Sequence, residues 1–365
     1  MRRKTKSSAL WSTKEFAMHV SGVQLFWFIL IGLLWAGYFF LEGFDFGVGM
    51  LMPFVAKTDL ERRALVNAIG PTWDGNEVWL IVAGGATFAS FPLWYSTMFS
   101  SFYLAMFIIL VALILRGVAF EYRGKGSSKR WKGNWDRIIF FGSLVPAFLW
   151  GVAFGDLIYG IPLNAAGTFT GNFFDLLQPY AIAAGVAMTL VFLLHGSLFL
   201  SLKLAGDLKD KVVAKVKIVA PFTTAFLFVF LGWTYLVARN DGHSGDVPGF
   251  IPVSALLIVA SVSWLAREKL FGWAFIFTGA AIVAITATIF MTLYPDVIMS
   301  STATRYSLSI VKAASQPYTL HVMTVVAIIF TPFVIAYQAW SYWIFRKRIT
   351  LPTASVTTSS ESDSK

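Results

Sequence analysis

Nine predominantly apolar stretches run along the chain, each closed by a charged or turn-rich break. They are Leu25–Phe54, Glu77–Tyr95, Met98–Phe120, Ile138–Ile161, Pro179–Leu202, Ile218–Ala238, Phe250–Ala266, Leu270–Tyr294 and Tyr318–Phe345. A run of roughly 20 apolar residues is what a helix needs to cross the hydrocarbon of a bilayer. None of the nine alternates apolar and polar positions with a period of two, and unpaired backbone is too costly in lipid, so a barrel is excluded. The pattern predicts an all-α polytopic membrane protein of about nine transmembrane helices. Nine spans leave room for two four-helix bundles plus one peripheral helix; no internal repeat is evident.

The breaks carry charge unevenly. Those after spans one, three, five, seven and nine hold twenty lysines and arginines, counting Arg116 at the end of span three; the even-numbered breaks hold only Arg239, Arg305 and Lys312. Cytoplasmic loops carry the cationic excess, so the N-terminus is expected outside and the C-terminus inside. Arg2, Arg3, Lys4, Lys6 and Lys14 argue the other way, and merging spans two and three into a re-entrant hairpin would accommodate them; the bias over eight breaks outweighs five charges in a tail. The first apolar run continues for about 30 residues, too long for the 7–15 of a signal-peptide core. Residues 1–24 therefore read as a basic N-terminal extension, 25–348 as the membrane domain and 349–365 as a Ser/Thr-rich cytoplasmic tail.

Composition agrees and narrows the chemistry. Of 365 residues 57% are apolar, 17% aromatic and 13% charged, with a mean hydropathy of +0.69; a water-soluble globule is excluded. The net charge of +10 is the loop excess and not a nucleic-acid footprint. With no cysteine, disulfides, thiolate metal sites and cysteine nucleophiles are excluded. No Walker loop, dinucleotide fingerprint, HExxH or G-x-S-x-G occurs.

Ionisable groups inside spans are expensive and are the default functional signal. Glu42 and Asp45 lie three apart in LEGFDFGVG, with Gly43, Gly47 and Gly49 letting another helix approach. Asp74 and Glu77, also three apart, open span two in GPTWDGNEVWLIVAGGATF. Bland readings stand beside the functional one: Asp74 as a helix N-cap after Pro71 and Trp73, Glu42 and Asp45 as a patch paired with Arg116, Glu77 snorkelling to the interface. Two acid pairs at one depth favour proton traffic. Gly84 and Gly85 read as tight packing, and Trp94, Tyr95, Trp340, Tyr342 and Trp343 as an interfacial belt. Only four histidines are present, His19, His195, His243 and His321. Of these only His195, in LLHGSLF, lies well inside a span, and a hydrogen-bonded packing role suits it better than ligation or proton relay.

Longer stretches carry a resemblance. LEGFDFGVGML, ERRALVNAIGPTWDGNEVWLIVAGGATFASFP, FYLAMFIILVALILRGVAFEYRGK, GVAFGDLIYGIPLN, TGNFFDLLQPY and YQAWSYW together resemble subunit II of bacterial cytochrome bd quinol oxidase over about Phe26 to Arg346. The resemblance implies a heterodimer with a haem-bearing subunit I that oxidises quinol and reduces dioxygen to water in the bacterial cytoplasmic membrane, without proton pumping. It implies nine helices in each subunit and two haems b and one haem d ligated by subunit I. Subunit II then supplies proton delivery, stability and, in some members, a structural quinone. Asp74 matches the family aspartate proposed to take up cytoplasmic protons, with Trp73 preceding it. Asp45 matches the GFD aspartate, and Glu42 stands where some members have Asp. A proton path of Asp74, Glu42, Asp45, Trp73 and Glu77 is thus expected, with no catalytic or metal-binding residue in this chain. Menaquinol or ubiquinol, a small accessory subunit and the oxygen route are left open. The alternatives are a purely architectural subunit and a proton-coupled secondary transporter.

Overall fold

The computed structural model describes residues 20–240 and 250–351. The basic extension up to His19, His243, and the tail from residue 352 lie outside the described residues. Helix α1 (Gly22–Val55) starts at a capping box in which Ser21 and Gln24 satisfy each other's backbone, and its 34 residues make it the axis of the molecule. It packs on α3 (Trp73–Ser90), α6 (Lys129–Tyr159), α7 (Pro179–Lys203) and α10 (Phe271–Leu293). Together with α5 (Tyr103–Tyr122), which packs on α6, the helices α1, α3 and α6 form one four-helix group. A second is made by α7, α8 (Gly206–Asn240), α9 (Phe250–Arg267) and α10. The last long helix, α12 (Pro317–Ile344), leans on α1 and α3 and buries almost none of its surface.

Seven of these helices are long and apolar enough to cross a membrane, and Ile251–Arg267 is a shorter apolar helix. The expected second span departs from the sequence reading. Its helix begins at Trp73, not Glu77, and ends at Ser90, and Pro92–Ser101 forms a separate helix α4. Pro92 supplies no N–H and pushes Phe91 out of the helical region, to φ −135° and ψ 69°. Trp94, read as an interfacial belt residue, is consequently turned inward and buried, and span three begins at Tyr103 instead of Met98. The sequence reading also lacked the short amphipathic helix α2 (Asp59–Ile69), which is opened by a second capping box between Thr58 and Glu61.

The groups are held by close backbone approach and aromatic packing. A Cβ on Gly196 would lie 2.6 Å from the Gly47 Cα, so only hydrogen fits where α1 crosses α7. Trp35 on α1 sits edge-on to Trp150 (4.9 Å between ring centres) and Phe154 (5.2 Å) on α6. Gly84 and Gly85 overturn their expectation: a Cβ on either meets nothing within 4 Å, because both face an open groove between α3 and α5.

Loops gather at two ends. At one, Arg62 bonds Asp136 (2.7 Å), Arg123 bonds Asp136 (2.6 Å) and Asp59 (2.8 Å), Lys132 bonds Asp59 (2.7 Å) and Lys211 bonds Glu61. Here also Ile349 N–H donates to the Lys203 carbonyl at 2.8 Å, tying the end of the described chain to α7. At the other end Ile161 N–H donates to Met299 O (3.0 Å), beside a hairpin of β1 (Asp296–Ile298) and β2 (Leu308–Ser309). Between this hairpin and α12 lies the one-turn helix α11 (Ile310–Ala313). The Trp27 indole donates to Leu320 O at 3.1 Å on the same side. The described chain therefore starts at the hairpin end and stops at the cation-rich end.

Candidate functional site

Three of the four acids, Glu42, Asp45 and Glu77, converge between α1, α3, α5 and α12. Glu42 and Asp45 share a face of α1 and are both fully buried. On α5, Arg116 is buried as deeply; its Nη1 donates to Glu42 Oε1 and, at 3.3 Å, to Glu77 Oε1. Counting Arg116 as a loop cation was thus an error: it is the counter-charge of the site, its guanidinium lying over the rings of Phe46 (4.7 Å) and Phe120 (5.3 Å). Charges sunk this far persist only when paired, and the Glu42–Arg116 pairing weighed above is the arrangement found.

Asp45 faces a neutral network. Its Oδ2 accepts from Asn76 Nδ2 at 2.7 Å. Asn76 Oδ1 accepts in turn from the Tyr342 hydroxyl (2.7 Å) and from Gln338 Nε2 (3.0 Å), both on α12. Tyr342, read as a belt residue, is therefore part of the site. Asn76, Gln338 and Tyr342 were missed, as neutral residues in apolar runs give no signal on their own; Trp340 and Trp343 remain exposed.

Asp74 stands apart. It occupies the first turn of α3 and its side chain is exposed. The N-cap residue is Thr72, and no side chain caps this helix, so the capping role weighed for Asp74 is not the one it plays. Trp73 lies half-buried against Phe120 (5.2 Å between ring centres) and Gly117. Glu77, one turn on, keeps 21% of its side chain exposed while reaching Arg116, which places it between the open Asp74 and the closed Glu42.

His195 is occupied on both nitrogens. Nε2 lies 3.2 Å from Phe40 O and Nδ1 2.7 Å from the Thr278 hydroxyl, and the ring stacks on Phe275 with 4.4 Å between centres. The Phe40 carbonyl can only accept, so Nε2 carries the proton and Nδ1 faces the hydroxyl. No lone pair points to open space, and His321, at the hairpin end, is exposed and bonded to Pro317 O. The described histidines do not form an axial pair for a haem. A further acid, Asp156 in GVAFGDLIY on α6, is fully buried toward the hairpin end, and among the described residues its carboxylate has no hydrogen-bond partner. An apolar cavity of about 70 Å³ lies near Phe39, Tyr180 and Phe192. Its space is below the roughly 300–1,000 Å³ of small-molecule sites.

Comparison with known proteins identifies the family of the chain. Residues 23–345 match the family described as cytochrome bd terminal oxidase subunit II. The chain is 41% identical over 325 residues to a Bacillus subtilis (strain 168) protein named cytochrome bd ubiquinol oxidase subunit 2, covering 88% of this chain and 96% of the relative. It is 36% identical over 362 residues to cytochrome bd-I ubiquinol oxidase subunit 2 of Escherichia coli (strain K12), covering 90% and 95%. A chain in the structure of bd oxidase from Geobacillus thermodenitrificans shares the fold, with a TM-score of 0.71 at 16% identity over 89% of this chain and 99% of that one. Matched along nearly its whole membrane-embedded length, the chain belongs to the cytochrome bd terminal oxidase subunit II family.

Proposed function

We propose that this chain relays protons from its cation-rich end toward the oxygen-reducing centre of a haem-bearing partner, and that its buried acids are the path. Family membership makes it a subunit of a respiratory quinol-oxidising complex that contains haems, pairs with a subunit I and uses quinol and dioxygen. It makes the chain a multi-pass protein of the bacterial cytoplasmic membrane. The following assignments are our own reading. The cation-rich end faces the cytoplasm by the positive-inside rule, which puts the N-terminus outside and the C-terminus inside. Two haems b and one haem d are held by subunit I and supply electron transfer and oxygen binding there; the engaged nitrogens of His195 support that division.

One observation carries the proposal: a fully buried guanidinium, Arg116, is flanked by Glu42 and Glu77, one helical turn from the exposed Asp74. Asp74 takes a proton at the mouth and Glu77 passes it inward. Arg116 offsets the cost of burying Glu42 as an anion between transfers. Asn76 fixes one oxygen of Asp45, and among the described residues Asp45 Oδ1, Glu42 Oε2 and Arg116 Nε and Nη2 have no hydrogen-bond partner. These free positions are hydrogen-bonding capacity for a chain of waters. The open faces of α3 and α12, with Ile81 72% and Phe333 70% exposed, supply apolar surface for subunit I. Protons released from quinol leave on the opposite face, so no pumping step is required.

The test is Asp74→Asn in the purified complex. Oxygen consumption should fall about tenfold or more, the scale on which a placed proton carrier contributes, while the reduced-minus-oxidised spectrum and subunit ratio stay unchanged. Unaltered turnover would leave the acids a purely architectural role.

A further inference from the structure

We infer that the cation-rich end of α5 and α6 binds one anionic phospholipid, its phosphate over Arg137 and Arg62 and an acyl chain in the groove between the two helices. Two recesses meet at Arg137. One, of about 330 Å³, runs between α5 and α6 and is walled by Phe107, Val111, Leu115, Phe141 and Val145. Phe107 and Phe141 are 52% and 56% exposed, so the groove opens sideways to lipid. The other, of about 420 Å³, lies between the last turn of α1 and the start of α6, where Phe54 and Phe140 sit beneath Arg62 and Arg137.

Charge decides the occupant. Among the described residues Asp136 is the one carboxylate lining either recess, and it already accepts from Arg62 (2.7 Å) and Arg123 (2.6 Å). The other acids of the cluster are also engaged, Asp59 accepting from Arg123 and Lys132 and Glu61 from Lys211. Arg137 is exposed and among the described residues bonds only the neutral Asn134 Oδ1, at 3.1 Å. Arg62, Arg123, Lys132, Lys211 and Arg137 thus stand against three carboxylates, and the unmatched guanidinium of Arg137 sits where hydrocarbon gives way to headgroups. A group joining a phosphate anion to a long hydrocarbon fits both halves: the phosphate meets the arginine forks, and the chain fills the apolar groove. Free phosphate would use only the upper half, and a zwitterionic lipid would bring its own cation against Arg137. The inference does not depend on the proton-relay reading.

The experiment is native mass spectrometry of the intact complex, stripped of lipid and reloaded with phosphatidylglycerol, phosphatidylcholine or glycerol phosphate. One phosphatidylglycerol should be retained in preference to the other two. Arg137→Ala should lower its retention about fivefold and Arg137→Lys should keep it. Leu115→Trp should displace the lipid by filling the groove while leaving both arginines in place. Equal retention of the two lipids, retention of glycerol phosphate alone, or unchanged retention in both Arg137→Ala and Leu115→Trp would overturn the inference. So would loss of the partner subunit in Arg137→Ala, which would make the surface a protein interface.

Discussion

Replacing Arg116 by methionine tests whether charge is held at the centre of the site. The side chain is fully buried, as is that of Glu42, and Glu77 is its second carboxylate partner. Methionine keeps the bulk and the contact with Phe46 and Phe120 but removes the cation. Breaking a buried pair from one side costs about 3–5 kcal/mol, because the remaining charge is left uncompensated. The double variant Arg116→Met, Glu42→Gln removes both charges. Glu77 retains access to its polar surroundings and Asp45 retains its bond from Asn76, so the double variant should recover about 2–3 kcal/mol of that loss, roughly a hundredfold in the assembled-to-dissociated ratio. Size-exclusion chromatography of the solubilised complex after graded heating reads this ratio. The single variant should lose its assembled peak at markedly lower temperature than wild type, with the double variant in between. A double variant no more stable than the single one would refute the ion pair as the element that makes these acids tolerable.

Other consequences are checked more briefly. Burial pushes Glu61 up, but the Lys211 ammonium and the backbone N–H groups of Thr58 and Lys57 outweigh it and bring the carboxyl from its ordinary 4.5 to about 2. A lowered folded-state pKa stabilises above 4.5, and that contribution is lost as pH falls toward about 2; the melting difference between wild type and Glu61→Gln should therefore shrink across that window, and a difference independent of pH would contradict it. Gly47→Val drives a side chain into the Gly196 backbone and should cost at least about 2 kcal/mol, seen as loss of the monodisperse complex, whereas Gly272→Ala, facing open space, should be neutral. His195→Gln should leave the haem difference spectrum unchanged; loss of a haem band would make this chain a ligand donor.

The span pattern was legible because a bilayer imposes a length and a composition that a sequence displays directly. Four of the site's residues, Glu42, Asp45, Asp74 and Glu77, were legible for a related reason: a carboxylate inside an apolar run stands out. Arg116 was visible yet misassigned, since its position near the end of a run made it look like a loop charge. Gln338 and Tyr342 lie 262 and 266 positions from the Asn76 they bond, and no local spacing encodes such a meeting. The break at Phe91–Pro92 was written in the chain, but a hydropathy average passes over one proline. Helix α2 escaped because its signal is a cap and a polar face, not apolar length.

The asparagine at position 76 has two clients, an aspartate on the first long helix and a pair of donors on the last. A ribosome delivers those helices about three hundred residues apart, so the amide oxygen waits through most of synthesis with its donors unmade. Helix α12 therefore completes a hydrogen-bond chain that the earlier helices only begin. Shortened chains ending before Pro317 should insert and pack their two bundles while leaving that oxygen unsatisfied. Formation of the Asn76 hydrogen-bond network is thus coupled to synthesis of helix α12.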